Sequence, residues 1–333
     1  MAAVLNPVVH DQLGKDASNG IVSVGSNEGK VATQHLAWMR PTAKDTPLEE
    51  MRRRLREDGY LFLKHLIPRQ DVLDVRKHYF SQYIPTGMLE PGSDPEHGIF
   101  NKSQSASDHG GIGAGDLPPS DLEVQTLTNS HTTPEYLSFL THTDLRSFVR
   151  RLMGWDREVL LQRTMLRHNA PGGKSTAVHY DKLFLRGGAA YFLTAWVPLG
   201  DTAQNGGGLM YLADSKGLGR EIEDEFTRRA AESLTDEERI SAFNVNMEKN
   251  GMLSHNAGDF AAEYGRGEKR EGWLVANYEA GDVVFHDPYM IHTSTVNEDV
   301  EGRIRLSTDL RFYEEGSDMD MRWMKFWTPG DGL

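Results

Sequence analysis

The chain has 333 residues, 38% of them hydrophobic, enough to build a sizeable core. It contains no cysteine, which excludes disulfides, thiolate metal sites and cysteine nucleophiles, so any metal must be held by histidine and carboxylate. A formal charge of −13 argues against a nucleic-acid partner, no apolar run is long enough for a membrane span, and the start MAAVLNPVVHDQLGKD lacks a secretory pattern, so a cytosolic protein is expected.

Residues 1–35 are small and polar without a sustained period and read as a loose arm; residues 36–333 read as one domain. Thr46-Pro47-Leu48-Glu49 predicts a helix start, with Thr46 as cap and Pro47 at the first helical position, and Gly59 is the expected stop. Tyr60–Leu63 should follow as a strand, and Pro68 should open a second helix. The Gly-, Pro-, Ser- and Asp-rich stretch 84–125 reads as a long loop, either functional or disordered. Residues 134–153 carry Leu137, Leu140, Leu145, Phe148 and Leu152 at helical spacing. From about residue 158 short apolar runs alternate with turn residues, which predicts a sandwich or closed barrel, interrupted by a polar helical insertion at 218–250. The expected class is α+β, with N-terminal helices packed on an antiparallel double sheet.

His179-Tyr180-Asp181 lies where a strand should end. Side chains two apart on a strand share a face, so the imidazole and carboxylate can meet at one ion. His292 lies 292 − 181 = 111 residues later, after the strand-like DVVFHDPYMI, and supplies a third ligand. Two histidines and one carboxylate on one face leave open positions, the arrangement used by non-haem Fe(II) oxygenases, where a co-substrate and O₂ must both reach the metal. The spelling also occurs at His142-Thr143-Asp144, inside a helical stretch where the two side chains diverge, so that pair is read as structural. Arg303 lies 303 − 292 = 11 residues past His292, and Arg305 two further; on a strand both would face one side, and either fork could hold a carboxylate. Ser294 could add a hydroxyl donor.

The segments HYD, AWVPLGDTAQNGGGLMYLADS, GDVVFHDPYMIHTSTVN and RIRLSTDLRF, in this order, resemble the phytanoyl-CoA dioxygenase family of Fe(II)/2-oxoglutarate enzymes, as does DGYLFLKHLIP near the N-terminus. The resemblance covers roughly residues 45–315. It implies a double-stranded β-helix, a jelly roll of the cupin kind. It implies Fe(II) on His179, Asp181 and His292, with Arg303 holding the distal carboxylate of 2-oxoglutarate and Ser294 assisting. The family's PGSH-like turn is LADS here. The retained carboxylate of Asp181 disfavours halogenation, since related halogenases replace it. The implied reaction is hydroxylation, desaturation or another oxidation of a small molecule with O₂, releasing succinate and CO₂. A narrower similarity to dioxygenases of swainsonine-type indolizidine pathways implies a specialised metabolite, a bicyclic amine.

Other residues keep two readings. His286 with Asp287 could support the metal site or end a strand; Trp196 and Tyr191 could line the pocket or fill the core. Arg163, Arg167 and Asn169 could meet a ligand or face solvent, as could Lys182 and Arg186. Gly206-Gly207-Gly208 reads as a tight turn between strands, since no phosphate-loop lysine follows, and Arg52-Arg53-Arg54 as a solvated helix face. Competing functions are a cupin-like metalloenzyme that does not use 2-oxoglutarate and a non-catalytic binding module. The loop 84–125 and the insertion 218–250 are expected to line the pocket as a lid. Oligomeric state stays open, a homodimer included.

Overall fold

The computed structural model describes residues 20–112, 117–242, 251–264, 272–331 and 333. From residue 20 the expected arm is ordered. Strands β1 (Val24–Gly25) and β2 (Lys30–Val31) pair antiparallel, and Val24 and Val31 are buried. Strands β3 (Leu36–Trp38) and β4 (Pro41–Thr42) lead to helix α1 (Leu48–Asp58). That helix starts at Leu48: Pro47 sits at the cap and no side chain caps it, so Thr46 does not have the expected role. The stop is as expected, with Gly59 left-handed at φ 77°. Arg54 of this helix is not solvated; it turns inward onto Glu50 and Thr42.

Strand β5 (Tyr60–Leu63) and helix α2 (Arg69–Tyr83) follow. The long loop ends in helix α3 (Asp121–Ser130). The expected helix over 134–153 is two helices, α4 (Pro134–Leu140) and α5 (Thr143–Met153). His142 sits at the break, its Nδ1 accepting from the Asp144 amide and its Nε2 meeting Asp71 at 3.0 Å. This second HxD is therefore a helix cap. Strands β6 (Glu158–Leu160), β7 (Met165–Asn169), β8 (Phe192–Pro198) and β9 (Leu209–Leu212) precede the insertion, which holds helices α6 (Lys216–Ser233) and α7 (Asp236–Ile240). Its remaining residues 243–250 lie outside the described residues. Helix α8 (Ala257–Tyr264) and strands β10 (Trp273–Val275), β11 (Val283–His286), β12 (His292–Ser294) and β13 (Arg305–Glu314) complete the order.

The strands form a four-stranded sheet, β12-β9-β10-β3, and a seven-stranded sheet, β4-β5-β11-β8-β13-β6 with β7 also on β13. The period-two alternation explains why β8 is buried along its whole length. Leu193, Ala195 and Val197 point outward, into the layer that α1, α2 and α5 lay on the large sheet with Leu55, Phe80 and Phe148. Trp196 points inward and packs with Leu209, Tyr211 and Tyr278 from the small-sheet side. The interior between the sheets is thus apolar around Trp196 and polar toward Thr194, His286 and Arg311. This is the α+β jelly roll expected.

One buried cation ties the long loop to the sheet. Arg76 of α2 donates to four carbonyls: Glu96 (2.7 Å), His97 (2.9 Å), Leu199 (3.0 Å) and Ile304 (3.0 Å). Burial lowers its pKa to about 10, so it stays charged at neutral pH. Ile304 directly precedes Arg305, so this contact fixes where the last strand begins. Arg76→Met should cost at least about 3 kcal/mol, because four buried acceptors lose a charged donor. Urea unfolding with a loss below about 1 kcal/mol would contradict that account.

Candidate metal and co-substrate site

The backbone is extended at Tyr180 (φ −128°, ψ 150°), so His179 and Asp181 share one face, as the i, i+2 spacing predicts. His179 pairs with His292 through reciprocal amide–carbonyl bonds of 3.0 and 2.8 Å, which bring the distant histidine beside the pair. His179 Nε2 and His292 Nε2 each lie 3.9 Å from Asp181 Oδ1. The three ligand atoms fall within 4.8 Å of one another, and all three residues are buried.

The remaining polar atoms show whether this set suits a metal. His179 Nδ1 donates to Ala177 O at 2.7 Å and His292 Nδ1 to Met290 O at 2.9 Å. Each ring is thereby held with its Nε2 lone pair turned toward Asp181, the tautomer a metal needs. Burial pushes the His179 imidazole down to about 4, and burial with the neighbouring His179 and His286 holds His292 well below the usual range. Both are neutral at pH 7. Burial works to raise the Asp181 carboxyl, but the Arg311 charge and the His286 hydrogen bond hold it well below the carboxylate range. Two neutral imidazoles and one carboxylate, all aimed at one point, fit Fe(II).

Asp181 is held on its far side. Oδ2 accepts from Thr194 Oγ1 at 2.5 Å, and His286 Nε2 and Arg311 Nε lie 3.3 Å away. Arg311 Nη2 donates to Oδ1 at 3.0 Å. His286 therefore supports the site, and its own Nδ1 meets Tyr211 Oη at 3.1 Å. Its neighbour Asp287 does not join it; it accepts from the Tyr289 amide. Arg311 and Thr194 were not singled out from the sequence. A signal for Arg311 existed: Arg305, Ser307, Asp309 and Arg311 alternate along β13.

Beside the triad lies an inner compartment lined by Arg167, Thr176, Trp196, Leu209, Arg305, Asp309 and Arg311. Arg305 is buried there, its Nε donating to Gly207 O at 2.8 Å and its Nη1 to Ser307 Oγ at 2.8 Å. Gly207 carries φ 87° in the expected turn and can bring its carbonyl this close. Burial and the nearby Arg167 lower Arg305 to about 10, still a cation at neutral pH. Arg303 is elsewhere. Its side chain is 42% exposed and pairs with Asp299 and Glu301. The spacing argument assumed that both arginines lie on a strand, but the strand starts at Arg305, and Arg303 makes only an isolated bridge to Ile99, with its amide held by Asp299. Ser294 does not line the compartment: its Oγ accepts from the Thr176 amide at 2.8 Å, and Thr176 lines it instead.

Among the other candidates, Trp196 and Arg167 line the compartment. Tyr191 is exposed, and Arg163 is buried against Asp331 and Leu333 O. Asn169 braces the Lys174 carbonyl, Lys182 donates to Leu185 O, and Arg186 pairs with Glu223 of α6. Removing the brace on Asp181 should loosen metal binding. Arg311→Leu should weaken Fe(II) affinity roughly 10- to 100-fold in an anaerobic titration. Unchanged affinity would show that Asp181 needs no such support.

No described helix is long and apolar enough to cross a membrane. No curated protein matches the chain. Among solved structures the chain is similar to SnoK, a non-haem alpha-ketoglutarate-dependent carbocyclase from nogalamycin biosynthesis, with TM-score 0.47, 17% identity, and 82% of this chain and 87% of that one covered. It is also similar to AviO1 from Streptomyces viridochromogenes Tue57, with TM-score 0.45, 15% identity, and 82% and 98% covered. Residues 55–303 match the phytanoyl-CoA dioxygenase (PhyH) family, so the chain belongs to that family and is a non-haem Fe(II)/2-oxoglutarate-dependent oxygenase.

Proposed function

We propose that His179, Asp181 and His292 hold the Fe(II) of this oxygenase and that Arg305 binds the distal carboxylate of 2-oxoglutarate. The observation that carries the second assignment is the placement of Arg305. It is a buried guanidinium in the compartment that also contains His179 and His292, whereas Arg303 is on the surface. A planar fork of this kind suits a carboxylate. Fe(II) held by His179, Asp181 and His292, with 2-oxoglutarate on Arg305, would supply the oxidising chemistry that takes a hydrogen atom from the substrate. The chain's own residues keep the ligand imidazoles neutral, brace the Asp181 carboxylate through Thr194, His286 and Arg311, and set Trp196 and Leu209 as apolar walls beside them. Thr176 and Arg167 complete the wall around the co-substrate, joined by a 2.9 Å bond from Arg167 Nη1 to Thr176 Oγ1.

The substrate is a small molecule, and we read it as a specialised metabolite that is hydroxylated, desaturated or otherwise oxidised. The outer chamber beyond His179 is walled by apolar and aromatic side chains, which suits such a molecule. The indolizidine amine of the narrower resemblance fits less well, because no carboxylate side chain among the described residues lines that chamber.

Fe(II)-dependent succinate formation from 2-oxoglutarate tests the assignment. Arg305→Ala should require roughly 100-fold more 2-oxoglutarate, the loss of about 2.7 kcal/mol of charged hydrogen bonding, while Arg303→Ala should behave as wild type. A large effect at Arg303 with none at Arg305 would reverse the assignment. No succinate from the wild-type enzyme under any condition would favour a metalloenzyme that does not use the oxo acid.

A further inference from the structure

The outer chamber has a volume of about 240 Å³ and opens from His179. Ile112 and Leu117 of the long loop form one wall, and Met165, Phe184 and Trp327 form others. Among the described residues its charged side chains are those of Arg167 and Arg311, the His179 imidazole being neutral. The nearby carboxylates are already engaged: Asp309 pairs with Arg167 Nη2 at 3.0 Å and Asp181 with Arg311.

The hydrogen-bonding groups left over are of one kind. Arg311 Nη1, Arg167 Nε and the Trp323 indole Nε1 are buried and meet no acceptor among the described residues. All three residues line the chamber, and all three groups are donors. Trp323 also lies against the Arg311 guanidinium, 5.3 Å from ring centre to Cζ, with Arg163 at 5.3 Å as well. The indole is therefore fixed in place between cations. A buried donor without an acceptor is unfavourable, so a bound molecule that supplies acceptor oxygens is favoured. A bound ammonium would find donors and two guanidinium charges instead. Trp323 does not line the inner compartment, so its N–H is not one that 2-oxoglutarate on Arg305 would satisfy.

We propose that the outer chamber selects a flat, apolar substrate bearing a carbonyl or carboxylate oxygen, directed to Trp323 and Arg311, and discriminates against amines. The proposal rests on reading this chamber as the substrate site of the oxygenase. It replaces the bicyclic amine suggested by the narrower resemblance with a molecule of the opposite hydrogen-bonding character.

Three probes sharing one ring test it: 2-naphthoate, 2-acetylnaphthalene and 2-naphthylmethylamine. Their binding to the full chain is measured by calorimetry under nitrogen, with Fe(II) and 2-oxoglutarate present and again without them. The acid and the ketone should each bind at least roughly 10-fold tighter than the amine, a difference of about 1.4 kcal/mol. Trp323→Phe keeps an aromatic ring and removes the N–H, so it should narrow that gap several-fold while leaving the melting temperature near wild type. An amine that binds as tightly as the others, a gap unchanged in Trp323→Phe, or no binding of any probe would each overturn the proposal. Because the probes are also measured without iron, the oxygenase reading fails or stands separately. Selectivity for the acid and ketone without 2-oxoglutarate turnover would sink only that reading, and turnover with preference for the amine would sink only this one.

Discussion

A carboxylate with almost no solvent exposure, Asp181, is the constraint on which this end of the barrel depends. Burying an ionised carboxyl alone would cost several kcal/mol or force it to protonate. Here Arg311, Thr194 and His286 share the burden, and they come from three neighbouring strands of the large sheet. The result is a carboxylate that stays charged, with one oxygen facing the two imidazoles and the other fully engaged. A metal site needs that asymmetry. The same guanidinium that braces Asp181 also faces the outer chamber, so the proposed metal site and the proposed substrate chamber share a residue.

The fold supports this arrangement by giving the large sheet two different faces. Its outer face is mostly apolar and is covered by helices, which supplies most of the core, while its buried Thr308 and His168 bond to Tyr136 and Tyr79 of those helices. Its inner face can then hold a polar row, Arg305, Ser307, Asp309 and Arg311, because each member has a partner: Arg305 bonds Ser307, Asp309 pairs with Arg167 of β7, and Arg311 with Asp181. Arg76 extends the same principle to the rim, where one buried cation satisfies carbonyls of the long loop, of the β8 end and of the residue before β13.

Much of this was legible in the sequence. The i, i+2 pair at His179 and Asp181 needs only an extended backbone, and His292 follows the strand-like run DVVFHDPYMI, of which Val283–His286 is a strand. The rival pair at His142 and Asp144 was separable by its helical surroundings, although the helix breaks there and His142 caps the second half. The choice between Arg303 and Arg305 was not legible from spacing alone. It depends on how many residues the turn consumes before the strand begins, and that turn is built around Asp299, which binds the Arg303 amide. Arg311 was visible in principle from the alternation along β13, but nothing local says that its partner is Asp181, 130 residues earlier. The loop 84–125 does contribute Ile112 and Leu117 to the chamber, as its composition suggested. The described helices of the insertion do not line it, while Trp323 and Trp327 near the C-terminus do. Their places depend on tertiary contacts that no short-range pattern records, of Trp323 with Arg163 and Arg311 and of Trp327 with His131.

The central claim is that one buried triad binds iron and that an oxo acid held by Arg305 chelates it. Anaerobic addition of Fe(II) and then 2-oxoglutarate to the full chain tests this directly, through the weak visible metal-to-ligand charge-transfer band that chelation produces. The account predicts a band in the wild-type protein that disappears in both His179→Ala and Asp181→Ala. A wild-type protein that shows no band, or a band that survives in His179→Ala, would contradict it.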